Sequence, residues 1–348
     1  MGKELLLDKN LEEMRELAKA AGQPAYRTRQ LLDWIYKKRA SSFDELSNIP
    51  QTWKEELHKT LSLTPFRSFS VQVSVDGTRK YLFELYDGLH VESVCIPMAE
   101  HFTLCISTQV GCALQCAFCL TGKQGVSRNL SSGEILGQIL AVQRENLSDT
   151  RISNIVLMGM GEPLLNYKQT VKALRMMLSE DGLNFSNRKI TLSTAGIVPG
   201  IIKLGQEDFT INLAVSLNAP ADKLRSELMP INNTYPLHQL LQACRAYPLP
   251  ERRRITFEYI LLDKINDSPD HARALAGLLR AIRCKINLIP FNQTSETPFV
   301  PSSEEAILMF QNMLTDQGYS AFIRDSKGSD ILAACGQLCG KCFVMRKT

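Results

Sequence analysis

The chain has 348 residues, 44% of them hydrophobic and 22% charged, with a formal charge of +4. That length suits one large α/β domain with an appendage or two ordinary domains, and the composition is that of a soluble globular protein. A charge this small gives no argument for nucleic acid by itself, and no apolar run reaches membrane-spanning length.

Residues 1 to about 65 read as helical, because Leu11, Met14, Leu17 and Ala18, then Leu31, Leu32, Trp34 and Ile35, recur at helical spacing. Arg27, Arg29, Lys37, Lys38 and Arg39 gather around the second helix, either as a solvated face or as an RNA backbone contact. From about residue 68 the period changes to two. Val71, Val73 and Val75, the turn Asp76-Gly77, then Tyr81, Phe83 and Leu85 predict a hairpin, with Asp87-Gly88 leading to a third strand near 91–96. These elements define an N-terminal accessory domain over residues 1–98.

Beyond it, strand-like and helix-like stretches alternate. Strands are predicted at 103–107, 152–158, 189–193, 211–217, 254–262 and 285–290, and helices at 132–146, 167–179, 198–205, 236–246 and 270–282. Such βα units predict an α/β fold, a partial six-unit barrel over residues 99–300 with ligands at the C-terminal strand ends. Residues 301–348 form a C-terminal segment.

The unusual residues stand where that architecture puts a site. After the first strand, Cys112, Cys116 and Cys119 have CxxxCxxC spacing, with Phe118 before the third. Three thiolates on one loop can bind three irons of a four-iron cluster and leave the fourth open. A zinc site or unrelated thiols are the alternatives, although no fourth ligand stands nearby. The second strand ends in Gly159-Met160-Gly161-Glu162-Pro163, where glycines permit close approach of a ligand and a carboxylate can accept from an amino group or ribose. Ser193 ends the third strand, Ser216-Leu217-Asn218 the fourth, and Asn292 follows the sixth, so that each end places a small polar side chain where a nucleoside cofactor would need a partner. Ten cysteines clustered at two places read as metal-binding or catalytic in a reducing compartment. The first residues lack the apolar stretch of a signal peptide, so a cytoplasmic location without membrane contact is expected.

The cysteine loop resembles that of the radical S-adenosylmethionine (SAM) superfamily, whose 4Fe-4S cluster holds SAM on its open iron. With Gly-Met-Gly-Glu-Pro, Leu-Ser-Thr-x-Gly and Ala333-Ala334-Cys335-Gly336-Gln337-Leu338, the chain resembles the RlmN/Cfr family of radical SAM RNA methyltransferases over nearly its whole length. The resemblance implies one 4Fe-4S cluster on Cys112, Cys116 and Cys119, and SAM bound by Gly161, Glu162, Ser193, Ser216, Leu217, Asn218 and Asn292. It implies two SAM molecules per turnover: one methylates Cys335, and the other yields a 5′-deoxyadenosyl radical that activates that methyl group for addition to adenine. Glu92 matches the family's proton acceptor, and Cys105 matches the cysteine that releases product by forming a disulfide with Cys335. The expected substrates are 23S rRNA, at adenine C2 in the peptidyl-transferase centre, and tRNA beside the anticodon, with flavodoxin as an example of the electron donor and a monomeric state.

Two features keep other readings open. Many family members have His where this chain has Asn218. Cys335, Cys339 and Cys342 repeat the CxxxCxxC spacing, which suggests either a second cluster or zinc in the tail, the former with a non-RNA substrate, or else extra thiols that are incidental or exchange disulfides with the Cys105/Cys335 pair. C8 methylation of the same adenine uses the same residues, and a non-catalytic zinc-binding RNA module is a further class.

Overall fold

A computed structural model describes residues 3–145 and 152–340. Its N-terminal module consists of β1 (Glu4–Leu5), α1 (Leu11–Ala20), α2 (Tyr26–Leu32), α3 (Gln51–Thr60) and β2 (Leu61–Ser62). Asn10 and Glu13 close a capping box on α1, satisfying backbone donors at its first turn. Leu31, Leu32, Ile35, Trp53 and Leu57 are buried between the helices, and each such side chain contributes about 1.5–3 kcal/mol of transfer free energy. The helical expectation for this region misses the parallel pairing of β1 with β2, which is too short to leave a period in the sequence.

The next three strands are β3 (Phe66–Val73), β4 (Arg79–Leu85) and β5 (His90–Pro97), an antiparallel meander. Gly77 and Gly88 both have φ of 81° at its turns, as the two Asp-Gly signals require. The meander does not form a sheet of its own. β5 pairs with β6 (Phe102–Cys105), placing Val94 opposite Cys105, so hydrogen-bonded sheet continues across the boundary expected at residue 98.

The remaining chain supplies β7 (Gln109–Gly111), α4 (Leu120–Lys123), β8 (Val126–Asn129), α5 (Ser132–Arg144), β9 (Ile152–Leu157), α6 (Tyr167–Leu178), β10 (Ile190–Thr194) and α7 (Val198–Leu204). After them come β11 (Asn212–Ser216), α8 (Asp222–Leu228), α9 (Leu237–Ala246), β12 (Ile255–Leu261), α10 (Pro269–Leu279), β13 (Cys284–Pro290), α11 (Glu304–Asp316) and β14 (Ala321–Ile323). The large sheet has the order β14-β13-β12-β11-β10-β9-β6-β5-β4-β3. From β6 to β14 neighbouring strands are parallel, the curved wall of a partial barrel extended by the meander.

The six predicted parallel strands are all present, and β14 adds a seventh that the sequence pattern does not announce. On β12 the fully buried Ile255, Phe257, Tyr259 and Leu261 alternate with Thr256 and Glu258. Tyr259 packs on Phe310 of α11, with ring centroids 5.2 Å apart, so Glu258 occupies the opposite face, away from that helix. Among the described residues no helix is long and apolar enough to cross a membrane.

Candidate active site

The cysteine loop is framed by local structure rather than by long elements. β7 and β8 pair antiparallel at its base, Gly111 has φ of 79°, and Gln115 turns the loop with φ of 53°. Cys112 N donates to Gly125 O at 2.8 Å, Cys119 N to Cys116 O at 3.1 Å, and Ala117 N to Leu228 O at 2.9 Å. Cys112 is buried and its thiol is pushed up to about 12, first by burial, with the Cys119 and Glu162 charges adding. Burial raises Cys116 further, with Cys119, Cys112 and Glu162 adding to it and Arg225 opposing.

Three thiols that repel one another as thiolates are stabilised by a bound cationic centre. The surroundings fit one. Arg225 on α8 is fully buried, and among the described residues no carboxylate lies within ion-pair distance of it. Its guanidinium instead donates to Leu217 O (3.1 Å), Asn232 Oδ1 (2.9 Å), Ala195 O (2.7 Å) and Ser216 O (3.2 Å). Burial lowers its pKa to about 10, opposed first by Cys116. A buried cation that interacts with Cys116 suits the net negative charge that a thiolate-ligated iron-sulfur cluster carries. As placed, no three His, Cys, Asp or Glu side chains among the described residues are grouped closely enough to hold a single metal ion.

The strand-end residues converge around the same loop. Glu162 is buried; its Oε1 accepts from Leu164 N (3.1 Å) and its Oε2 from Ala195 N (2.7 Å). Burial pushes its carboxyl up to about 7 against the pull of these donors. The two glycines before it serve the protein's own packing. A Cβ at Gly161, whose φ is 98°, would lie 2.5 Å from Gln109 Cβ, and one at Gly159 would lie 2.7 Å from Ile106 O. The close approach expected toward a ligand is thus also one toward residues 106–109.

The hydroxyls of Ser193 and Ser216, on β10 and β11, have no hydrogen-bond partner among the described residues. Leu217 is buried, and its N donates to Glu258 O at 2.9 Å. Asn218 has φ of 60° and an occupied side chain: Oδ1 accepts from Ile260 N (2.9 Å) and Nδ2 faces Met229 Sδ (3.2 Å). Asn292 Nδ2 donates to Cys335 O at 3.3 Å.

Cys335 sits on an irregular segment that docks on the cysteine loop. Leu120 N donates to Gly336 O at 2.8 Å, and Thr121 Oγ1 donates to Leu338 O at 2.6 Å. Solvent reaches Cys335, yet enclosure by protein pushes its thiol up to about 11, with Glu258 and Cys119 adding and Arg324 opposing. Cys105, buried at the end of β6, is raised further still by burial, with the Cys335 charge adding to it. Glu92 is fully buried on β5. Its Oε2 accepts from Cys339 N (2.7 Å) and Gly340 N (3.0 Å), and Lys80 Nζ lies 3.4 Å from its Oε1.

The expected disulfide is not supported: Cys105 and Cys335 are both free thiols here. Cys339 is buried, and Cys342 lies outside the described residues. Sequence reasoning missed Lys80, Arg225 and Glu258. Only Arg225 left a signal, as the one cation of Asp-Lys-Leu-Arg-Ser-Glu-Leu whose spacing puts it on the apolar face with Leu228.

Residues 5–63 match the family model described as "Ribosomal RNA large subunit methyltransferase N-terminal domain", and residues 106–276 match "Radical SAM superfamily". The chain is 52% identical over 334 residues to the dual-specificity RNA methyltransferase RlmN of Syntrophus aciditrophicus, covering 96% of each chain. It is 48% identical to that of Geobacter sulfurreducens, covering 97% of this chain and 92% of the relative. The crystal structure of a radical SAM methyltransferase from Sphaerobacter thermophilus superposes with a TM-score of 0.94 at 44% identity, covering 97% of this chain and 100% of that one. Matched along nearly its entire length, the chain belongs to the RlmN family of radical SAM RNA methyltransferases, whose shared chemistry uses a 4Fe-4S cluster and SAM.

Proposed function

We propose that this enzyme methylates C2 of an adenine in 23S rRNA and an adenine beside the tRNA anticodon, using Cys335 as a covalent one-carbon carrier. The observation that carries this reading is the docking of the Cys335 segment, residues 328–340, on the cysteine loop, through Leu120 N to Gly336 O and Thr121 Oγ1 to Leu338 O. A carrier must sit beside the centre that activates it, and these two backbone-directed bonds keep it there.

One cluster on Cys112, Cys116 and Cys119, with SAM alongside Glu162, Ser193, Ser216 and Asn292, supplies the methyl group and the one-electron chemistry. The protein's own residues do the rest. Cys335 Sγ holds the one-carbon unit as a thioether and delivers it to the ring. Glu92, buried against the backbone of Cys339 and Gly340 in the same segment, accepts the ring proton as the new carbon-carbon bond is completed. Cys105, as a thiolate, then attacks Cys335 Sγ; the bond from Cys335 sulfur to the transferred carbon breaks, that carbon keeps the bonding pair and takes up a proton to become the methyl group, and methylated RNA leaves as the Cys105–Cys335 disulfide forms. A thiol reductant restores both cysteines.

Glu162 and Asn218 act in this reading as second partners to the cofactor, since their side chains already hold the loops. The helical module of residues 1–63, the barrel and the Cys335 segment divide the labour between RNA docking, cofactor binding and methyl carriage. The enzyme works as a cytoplasmic monomer with a flavodoxin-type electron donor. Nucleoside analysis of rRNA and tRNA from cells with and without the gene tests the reading. Loss of 2-methyladenosine from both RNAs is expected, whereas an unchanged level, or loss of an 8-methyl product instead, refutes it.

A further inference from the structure

The strap over residues 328–340 is fastened along the meander at successive points. Gly328 N donates to Asp76 Oδ2 at 3.0 Å, and Asp330 accepts from Ser74 Oγ at 2.5 Å and from Val75 N at 3.3 Å. Further on, Lys80 Nζ donates to Leu332 O at 3.4 Å, and Glu92 Oε2 holds the amides of Cys339 and Gly340. Cys335 lies between these last two attachments.

Both inner attachments depend on one buried pair. The Lys80 and Glu92 side chains are each 1% exposed, and a buried ammonium or carboxylate persists only where it is paired. Glu92 Oε1 accepts no hydrogen bond among the described residues, so the nearby ammonium is its compensation. Leu332 has φ of 54°, a left-handed conformation disfavoured for a residue with a Cβ, which persists only where its surroundings over-determine it. Its carbonyl is the one that Lys80 holds.

We propose that Lys80 is a positioning residue that clamps the Cys335 strap in register, directly at Leu332 and indirectly by fixing Glu92 against Cys339 and Gly340. Its geometric part stands alone; its effect on turnover rests on the reading of Cys335 as methyl carrier. A carrier displaced by about 1 Å loses on the order of 100-fold in rate, so the clamp governs kcat rather than RNA binding.

The test is amide hydrogen exchange by mass spectrometry on the full-length protein, with Lys80→Met and Lys80→Arg beside wild type. In Lys80→Met, exchange over residues 328–340 rises at least about tenfold while the barrel strands keep their protection, and kcat falls with KM for RNA unchanged. Lys80→Arg keeps the charge and stays within about threefold of wild type. Should Lys80→Met fail to fold, Lys80→Met/Glu92→Gln leaves no unpaired buried charge, and the same faster exchange is expected. Strap exchange at the wild-type rate in the folded variant, or an Arg variant as loose as the Met variant, overturns the clamp. Glu92→Gln separates the two readings: retained turnover refutes Glu92 as proton acceptor and leaves the clamp standing.

Discussion

Glu258 sits on β12 with its carboxylate accepting from Asn287 Nδ2 at 2.9 Å, and burial pushes it up to about 7 from an ordinary 4.5, opposed by Asn287, Arg324 and Lys285. Between those values the folded protein keeps a proton that the unfolded chain has released, so stability falls as pH rises through this window. At about 1.36 kcal/mol per pH unit, the interval from 4.5 to about 7 is worth about 3 kcal/mol. Glu258→Gln keeps the acceptor for Asn287 and cannot ionise. Urea unfolding of both proteins at pH 4 and pH 8 reads the effect as a difference of differences, which cancels other carboxyls such as Glu162. The variant is expected to gain about 3 kcal/mol on wild type between the two pH values. The Cys335 thiol, raised by burial and then by Glu258, becomes more acidic in the variant and is alkylated faster by iodoacetamide at pH 8. A stability difference that does not change with pH, together with unchanged alkylation, would refute the placement of an ionisable carboxyl beside the carrier.

Gly161→Ala places a Cβ against Gln109 at positive φ and is expected to cost about 3 kcal/mol, read as a lowered unfolding midpoint. Asn218→Ala leaves the Ile260 N–H without its acceptor and costs about 1–3 kcal/mol in the same assay. Cys105→Ala retains the carrier but lacks the attacking thiol, so denaturing gels of reaction mixtures should show a protein-RNA adduct that accumulates; its absence counts against Cys105 as the resolving residue.

Much of the barrel was legible because its strands and helices are long enough to carry a period. The helix predicted at 132–146 begins at Ser132, behind a Ser131/Glu134 capping box, and ends at Arg144. The missed elements are short or atypical. β7 and β14 span three residues each, fewer than an alternation needs, and β8, four residues long, reads Val-Ser-Arg-Asn with a single apolar side chain. α11 has the length of a clear helix, yet it lay in a segment read mainly for its cysteines. The cluster loop and Cys335 announced themselves by spacing and by matching motifs. Glu92 did so only through its match to the family pattern, because a strand glutamate ordinarily faces water; the structure puts it at zero exposure against Lys80 and the strap. Lys80 and Glu258 were invisible for the same reason, since their partners stand 252 positions away at Leu332 and 29 away at Asn287.

The central claim is that Cys335 carries a one-carbon unit beside a single cluster. Anaerobic iron and zinc quantification, with intact mass, on wild type and Cys335→Ala tests it most directly. About four irons per chain in both proteins, no zinc, and a methyl-sized mass increment present only with Cys335 are the predicted result. Iron or zinc that falls when Cys335 is removed would make the tail a metal site and contradict the account.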